Sequence, residues 1–251
     1  MKRKVLLLLI ILFNLFLKFW RLGVIPPLLD KNELSLRFLS AGLSLFFPVL
    51  IYILVRNIYR ADKLALLTAL IFTILPQTIV EGRIVSILVY PPFLLKNLPS
   101  PIPFYKLILN FLSLFSFDML FFKNVTFYWG GIREIGMMYI SFLPFFLQGL
   151  YQMIHDRKVI PLIILLLFFV YVSLIPSFPE SRIVLLAAPL LSFIVARGTL
   201  VFWQYKNINF KLAFFLLVLF LFYELIQFFH YYTMHYPVEL MSFKENIARP
   251  F

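Results

Sequence analysis

Leu212-Ala-Phe-Phe-Leu-Leu-Val-Leu-Phe-Leu-Phe-Tyr-Glu-Leu-Ile-Gln-Phe-Phe229 is an apolar stretch that contains a single charged residue, Glu224. A helix needs about 20 mainly apolar residues to cross the hydrocarbon layer of a bilayer, which is about 30 Å thick. An apolar surface on every side of such a helix is typical of a membrane span. The stretch therefore predicts a transmembrane helix.

Six further apolar runs precede this one. The whole chain of 251 residues is 63% hydrophobic and only 14% charged, whereas an average soluble domain is about 25% charged. We therefore predict an all-α fold, a single transmembrane domain over residues 1–251 with about seven crossings. The predicted helices lie near residues 5–20, 38–55, 64–80, 135–154, 159–175, 183–203 and 212–229.

The segment 83–133 does not fit the pattern of crossings. Its first half contains helix-breaking prolines, at Pro91, Pro92, Pro99, Pro101 and Pro103. The apolar run 107–122 is short and is interrupted by Asn110 and Asp118. A run of this kind favours a helix that lies on the outer membrane surface. If it crossed instead, the topology after it would invert.

Basic residues are concentrated in short connectors between the apolar runs. If the predicted helices alternate in direction, one side of the membrane receives Lys2, Arg3, Lys4, Arg56, Arg60, Lys63, Arg157, Lys158, Lys206 and Lys211. Cytoplasmic loops collect Lys and Arg. We therefore predict an integral protein of the plasma (inner) membrane, with its N-terminus cytoplasmic and its C-terminus outside.

The net charge of +12 could also indicate nucleic-acid binding, but the basic residues form no block and no Arg-rich helix. We therefore predict no nucleic-acid partner. The chain contains no Cys, which excludes thiolate catalysis and Cys-ligated metals.

Glu224 is the clearest candidate for a functional residue, because a charge at membrane depth is costly and tends to be functional. Gln227 and Tyr231 follow it on roughly the same predicted helical face. A substrate role and a structural contact, either an ion pair or hydrogen-bonded packing, both remain open. Arg197, near the inner end of its helix, is expected to snorkel towards the headgroups.

Arginines also lie beside the predicted outer helix ends. They are Arg21, Arg37, Arg83, Arg133 and Arg182. A planar guanidinium matches the geometry of phosphate, so this set could hold an anionic lipid headgroup. Lipid-facing snorkelling and exposed ion pairs are the alternatives.

Several pieces of the chain resemble one family. Leu64-Ala-Leu-Leu-Thr-Ala-Leu-Ile-Phe-Thr-Ile-Leu-Pro76, continuing to Arg83, resembles the third helix of the protein mannosyltransferase and aminoarabinose transferase group. Asn32-Glu-Leu-Ser-Leu-Arg37 resembles the entry to their second helix. Ile175-Pro-Ser-Phe-Pro-Glu-Ser-Arg182 is similar to their arginine-bearing outer turn. These proteins are membrane glycosyltransferases of the GT-C type.

The resemblance implies transfer of a hexosyl or pentosyl group from a polyprenyl-phosphate carrier to an acceptor on the outer face. It implies that Arg83 and Arg182 meet the carrier phosphate, and Arg37 and Glu224 join them as substrate-binding candidates. Asp30 is the candidate general base, with Glu33 as the second carboxylate. Membrane lipid and the sugar donor are the expected partners, and a membrane protein partner is left open. The sequence indicates no metal site, and a divalent metal requirement is also left open.

The chain also departs from the family. Relatives carry an Asp-Glu pair in a long first external loop, whereas here Ile25-Pro-Pro27 is followed almost at once by the second helix. The region after Arg83 lacks several of the expected helices. One alternative is therefore a non-catalytic or truncated relative that acts as a lipid-binding or partner subunit. A transporter is a third alternative that rests on Glu224 alone, since the sequence has no internal repeat or pair of broken helices.

Overall fold

The computed structural model describes residues 2–21, 33–81, 103–122, 135–174 and 185–238. Within these ranges, all the regular structure is helical, which confirms the predicted all-α class for them. The α-helices are α1 (Lys2–Phe19), α2 (Glu33–Ser44), α3 (Phe46–Tyr59), α4 (Asp62–Ile74), α5 (Pro76–Glu81), α6 (Phe104–Leu114), α7 (Leu143–His155), α8 (Ile160–Ser173), α9 (Ala188–Gln204) and α10 (Ile208–Met234). A π-helical turn covers Asp118–Phe122, and 3-10 turns cover Ile140–Phe142 and Leu185–Ala187.

The centre of the bundle is α9, which packs between α7 and α4. Two glycines let α7 and α9 approach closely. A Cβ atom at Gly198 would overlap the carbonyl oxygen of Phe145, and one at Gly149 would overlap that of Ile194. Small residues commonly allow such backbone contact between membrane helices. On the other side of α9, α4 packs in turn against α3 and α1.

The second and third predicted helices each form in two pieces. The third breaks at Leu75, whose ψ of 134° lies outside the helical region. The cause is Pro76, because the proline ring disfavours the helical conformation of the residue before it. The Thr78 hydroxyl, which has one proton to donate, lies within hydrogen-bond distance of the carbonyl oxygens of Phe72 (2.6 Å) and Leu75 (2.9 Å), and this contact stabilises the break.

The fourth predicted helix starts later than expected. Residues 135–139 run alongside the π-helical turn, where the N–H of Met138 donates to the carbonyl of Leu120 at 2.8 Å. Gly136 permits this approach, since a Cβ there would overlap the backbone of Phe121. The α-helix itself begins at Leu143. The predicted start at residue 135 was therefore wrong, because these amides pair with a neighbouring segment.

Two helical stretches are long and apolar enough to cross a membrane, Arg37–Tyr59 and Ile208–Val238. Three others are apolar but shorter: Phe104–Leu114, Ile160–Ser173 and Ala188–Gln204. The outside of the bundle carries large exposed apolar side chains, among them Leu8, Phe16, Leu167, Phe215 and Phe222. An apolar exterior of this kind is suited to lipid contact. The chain is therefore a membrane protein, while the number of seven crossings stays a prediction.

The segment predicted to lie on the outer surface forms α6 and the π-helical turn. Eleven residues make α6 about 17 Å long, too short to cross the hydrocarbon layer. It packs against α8, where the Asn110 amide donates to the carbonyl of Ser173 at 3.0 Å. Its position on the membrane surface stays a prediction.

Asp62 joins three helices at one end of the bundle. Its carboxylate, at the start of α4, forms an ion pair with Arg3 of α1. It also pairs with Arg56 of α3, whose Nε lies 3.0 Å from Oδ1. The N-terminus and the connector between α3 and α4 therefore lie together.

A third basic connector reaches the same end. The ring centroids of Tyr59 in α3 and Phe193 in α9 are 4.7 Å apart. One turn after Phe193, Arg197 forms an ion pair with Asp156 in the connector from α7 to α8. Arg197 is only 11% exposed, so it pairs within the protein instead of snorkelling. We call this end of the bundle the basic end.

Candidate functional site

Lys18 lies at the opposite end of α1 and is buried, with 3% of its surface exposed. Its ammonium donates hydrogen bonds to the carbonyl oxygens of Thr78 and, at 3.4 Å, Ile79. Both acceptors belong to α5, which the break at Pro76 directs towards α1. Sequence reasoning missed Lys18, because a lysine at the end of an apolar run is typical of a flanking residue. Its burial shows that Lys18 is an internal residue and not an exposed flanking one.

Arg37 in α2 is also buried, with 1% exposed. The phenyl rings of Phe19 and Phe38, the residues that follow Lys18 and Arg37 in sequence, have centroids 5.9 Å apart. This contact brings α1 and α2 together at the level of the two cations. The snorkelling alternative for Arg37 does not hold in this structure, because its side chain is inside the protein. We call Lys18 and Arg37 the cation pair, without implying that they touch.

Polar groups continue along α2 from Arg37 to the last residue of the helix, Ser44. Ser40 and Ser44 are buried, and the Ser44 hydroxyl donates to the carbonyl of Ala41 at 2.7 Å. Asn14 of α1 donates to the carbonyl of Ser44 at 3.5 Å. Buried polar side chains therefore line α1 and α2 beside the cation pair.

Glu224 of α10 is 9% exposed and reaches the start of another helix. Its carboxylate accepts hydrogen bonds from the backbone N–H groups of Ile140 (2.7 Å) and Ser141 (3.0 Å). These amides open the 3-10 turn that leads into α7. The first N–H groups of a helix have no partner within it, and a negative charge there is favoured. The contact matches the hydrogen-bonded packing alternative, and a substrate role for Glu224 stays a prediction.

The face of α10 that carries Glu224 differs from the one expected. Phe228, Tyr232 and Tyr236 continue the buried side, and Phe228 packs edge-on against Tyr139 at 6.3 Å. Gln227 is exposed and donates to the Tyr223 hydroxyl at 2.6 Å. The prediction that Gln227 shares the face of Glu224 was therefore wrong, because burial follows the spacing of four residues.

The side chains of the other four predicted site residues are outside what the structure describes. Asp30, Arg83 and Arg182 lie outside the described residues, and Glu33 is the first residue of α2, with its side chain not described. The structure therefore places the side chains of Arg37 and Glu224 from the predicted site, and the roles of all six residues stay predictions. Within the described ranges, no three His, Asp or Glu side chains form a group that could hold a metal ion.

Part of the chain is similar to one known protein family. The model of the family "Dolichyl-phosphate-mannose-protein mannosyltransferase" matches residues 4–107, which include α1 from its third residue, α2 to α5 and both members of the cation pair. No curated protein and no solved structure matches the chain. The family match supports a membrane glycosyltransferase-like role. The resemblance seen in the sequence is thus confirmed over residues 4–107, where this chain is similar to the protein mannosyltransferases.

Proposed function

We propose that this protein is a GT-C type glycosyltransferase that moves a sugar from a polyprenyl-phosphate carrier to an acceptor on the outer face of the membrane. The observation that carries the proposal is the burial of Lys18 and Arg37 within the segment similar to protein mannosyltransferases. Burying cations in a membrane bundle is costly and usually functional. An anionic carrier phosphate is the substrate group that two such cations would bind.

The outer face follows from the position of the basic end. Arg3, Arg56 and Arg197 lie together at that end, whereas the cation pair lies near the other ends of α1 and α4. Because connectors rich in Lys and Arg stay in the cytoplasm, the cation pair would face outwards. Arg83 and Arg182 are proposed as further phosphate ligands from the same side.

Transfer needs a base for the acceptor as well as cations for the carrier. The acceptor hydroxyl would attack the anomeric carbon of the sugar while a carboxylate removes the hydroxyl proton. The bond from the sugar to the carrier phosphate would break, and the cations would stabilise the charge of the departing polyprenyl phosphate. Asp30 is the proposed base. Glu33, one turn before Arg37 on α2, is the second candidate.

A transfer assay in proteoliposomes tests the proposal, with polyprenyl-phosphate mannose as the first donor because the matching family uses a mannose donor. We expect Asp30→Asn to slow transfer by about 100-fold or more, the usual contribution of a general base. Lys158→Ala, which removes a charge at the basic end, should leave the rate unchanged. An unchanged rate in Asp30→Asn would end the catalytic role of Asp30.

The non-catalytic alternative predicts a different result from the same preparation. The family match leaves residues 108–251 uncovered, so the donor-binding part could be kept without the transfer reaction. In that case polyprenyl-phosphate mannose would bind, and Lys18→Met would weaken binding, but no sugar would reach an acceptor. Binding without turnover across several sugar donors would therefore favour a lipid-binding subunit over an enzyme.

A further inference from the structure

Two apolar grooves open at the basic end. The first has a volume of about 580 Å³ and lies between α1, α4, α9 and α10, where its lining includes Leu6, Phe13 and Leu67. The second, of about 360 Å³, lies between α9 and α10 and is lined by Phe215 and Val218 among others. Much of the first half of α10 is exposed.

One pair of aromatic residues separates the two grooves. Trp203 and Phe214 line both of them. Their rings meet edge-to-face, with centroids 5.3 Å apart, and so form a ridge. A transmembrane helix is at least about 10 Å wide with its side chains. Because the ridge separates the two grooves, each of them suits a narrow hydrocarbon chain better than a helix.

Each groove carries one lysine. Lys63 lines the first groove, and Lys211 lines the second. Both side chains are exposed, and neither has an ion-pair partner among the described residues. Lys63 follows Asp62 at the basic end, so the cation stands at the membrane surface while the apolar lining runs along α1. Along α1 the lining extends for about 10 Å, from Leu6 to Phe13.

The position of Trp203 is also typical of a residue that contacts lipid headgroups. It is 69% exposed and lies one residue before the end of α9. Indole rings favour the headgroup level of a membrane, and lysines there attract anionic lipids. A glycerophospholipid with an anionic headgroup matches this arrangement. Its two acyl chains fit the two apolar grooves on either side of the aromatic ridge, and its headgroup fits the two lysines.

We propose that an anionic glycerophospholipid of the leaflet at the basic end binds across the Trp203–Phe214 ridge, with one acyl chain in each groove and its phosphate between Lys63 and Lys211. This lipid is distinct from the sugar carrier, which would bind at the opposite end. The inference does not rest on the proposed enzymatic function, and either can fail alone.

Fluorescence quenching by brominated lipids tests the site. The chain has three tryptophans, so Trp20→Phe together with Trp129→Phe leaves Trp203 as the single reporter. The protein is placed in phosphatidylcholine vesicles that contain a small fraction of phosphatidylglycerol or phosphatidylcholine with brominated acyl chains. We expect the brominated phosphatidylglycerol to reach half-maximal quenching at a roughly tenfold lower fraction, because two lysines favour the anionic headgroup.

Matched charge removal decides the role of the two lysines. Lys63→Ala with Lys211→Ala should abolish the preference, and Lys63→Glu with Lys211→Glu should reverse it. Arg157→Ala with Lys158→Ala removes two charges at the same end without touching either groove, and should leave the preference intact. Equal quenching by both lipids in the parent protein would overturn the proposal, as would equal loss in the control pair. Absence of quenching by either lipid would mean that protein fills the grooves, and would overturn it too.

Discussion

The carboxylate of Glu224 accepts a hydrogen bond of 2.7 Å from the backbone N–H of Ile140, a residue 84 positions earlier in the chain. In a bilayer the backbone has no water to bind, so an exposed N–H must find a partner in the protein. Glu224 provides this partner for the start of the 3-10 turn and, through Ser141, for the helix that follows it. A charge that looks out of place in an apolar helix thus holds two distant segments together.

Glu224→Ala should therefore destabilise the fold by about 1–3 kcal/mol, the usual cost of leaving buried amides without a partner. Thermal unfolding in detergent measures the change as a lowered Tm. Gln227→Ala, on the exposed side of the same helix, should change the Tm little. Equal shifts for the two variants would contradict the capping role of Glu224.

The sequence identified Glu224 but not what it binds. A lone charge in an apolar run is visible in the chain itself, whereas Ile140 and Ser141 belong to a segment that the apolar pattern assigned to a longer helix. The pairing of residues 137 and 138 with the π-helical turn breaks that helix, and periodicity within the segment carries no sign of it. Both the partner of Glu224 and the late start of α7 therefore depend on contacts between segments that are distant in sequence.

The cation pair shows the same limit. The sequence selected Arg37 as a rim residue and passed over Lys18, because the ends of apolar runs commonly carry exposed cations. Both are buried, because α2 packs on α1 and because Pro76 directs α5 towards Lys18. The proline is visible in the sequence, but the direction that the chain takes after it is not.

The close approach of α7 and α9 gives a second prediction, tested with alanine. Gly198→Ala and Gly149→Ala should each lower the Tm strongly, because the new Cβ would overlap a backbone carbonyl of the facing helix and overpacking costs about 1–3 kcal/mol or more. Gly42→Ala is the matched control, since nothing lies within 4 Å of its Cβ position.

Alanine at Gly42 should be neutral or stabilising by about 0.5–1 kcal/mol, because glycine weakens a helix interior. The order of the three Tm values is therefore the measurement that matters. If Gly198→Ala were as stable as Gly42→Ala, the two helices could not pack as closely as described.

The sidedness of the bundle gives a third prediction, which the absence of cysteine makes simple to test. Single cysteines at Asn57, Lys158 and Lys206 should all react with a membrane-impermeant maleimide from the cytoplasmic side. A cysteine at His235, at the end of α10, should react from the opposite side.

Labelling of Asn57→Cys in intact cells would overturn the proposed orientation, and with it the outward-facing sugar chemistry. A split among the first three positions would overturn the basic end as a single surface. Purified protein in detergent, where all four sites are accessible, provides the control for reactivity.

The connector between α7 and α8 gives a prediction about pH. A hydrogen bond from Gln152, at 2.9 Å, and the neighbouring Arg197 guanidinium lower the pKa of Asp156 from its ordinary value of 3.8. A carboxylate with a lowered pKa in the folded protein stabilises the fold above its ordinary pKa, and this contribution is lost as the pH falls through the folded value.

The gap in Tm between the parent protein and Asp156→Asn should thus be constant from neutral pH to above 3.8 and shrink below it. Gln152→Ala should move this loss to higher pH, whereas Gln148→Ala, one turn earlier on α7, should not. A gap that stayed unchanged in acid would show that the charge of Asp156 does not stabilise this end of the bundle.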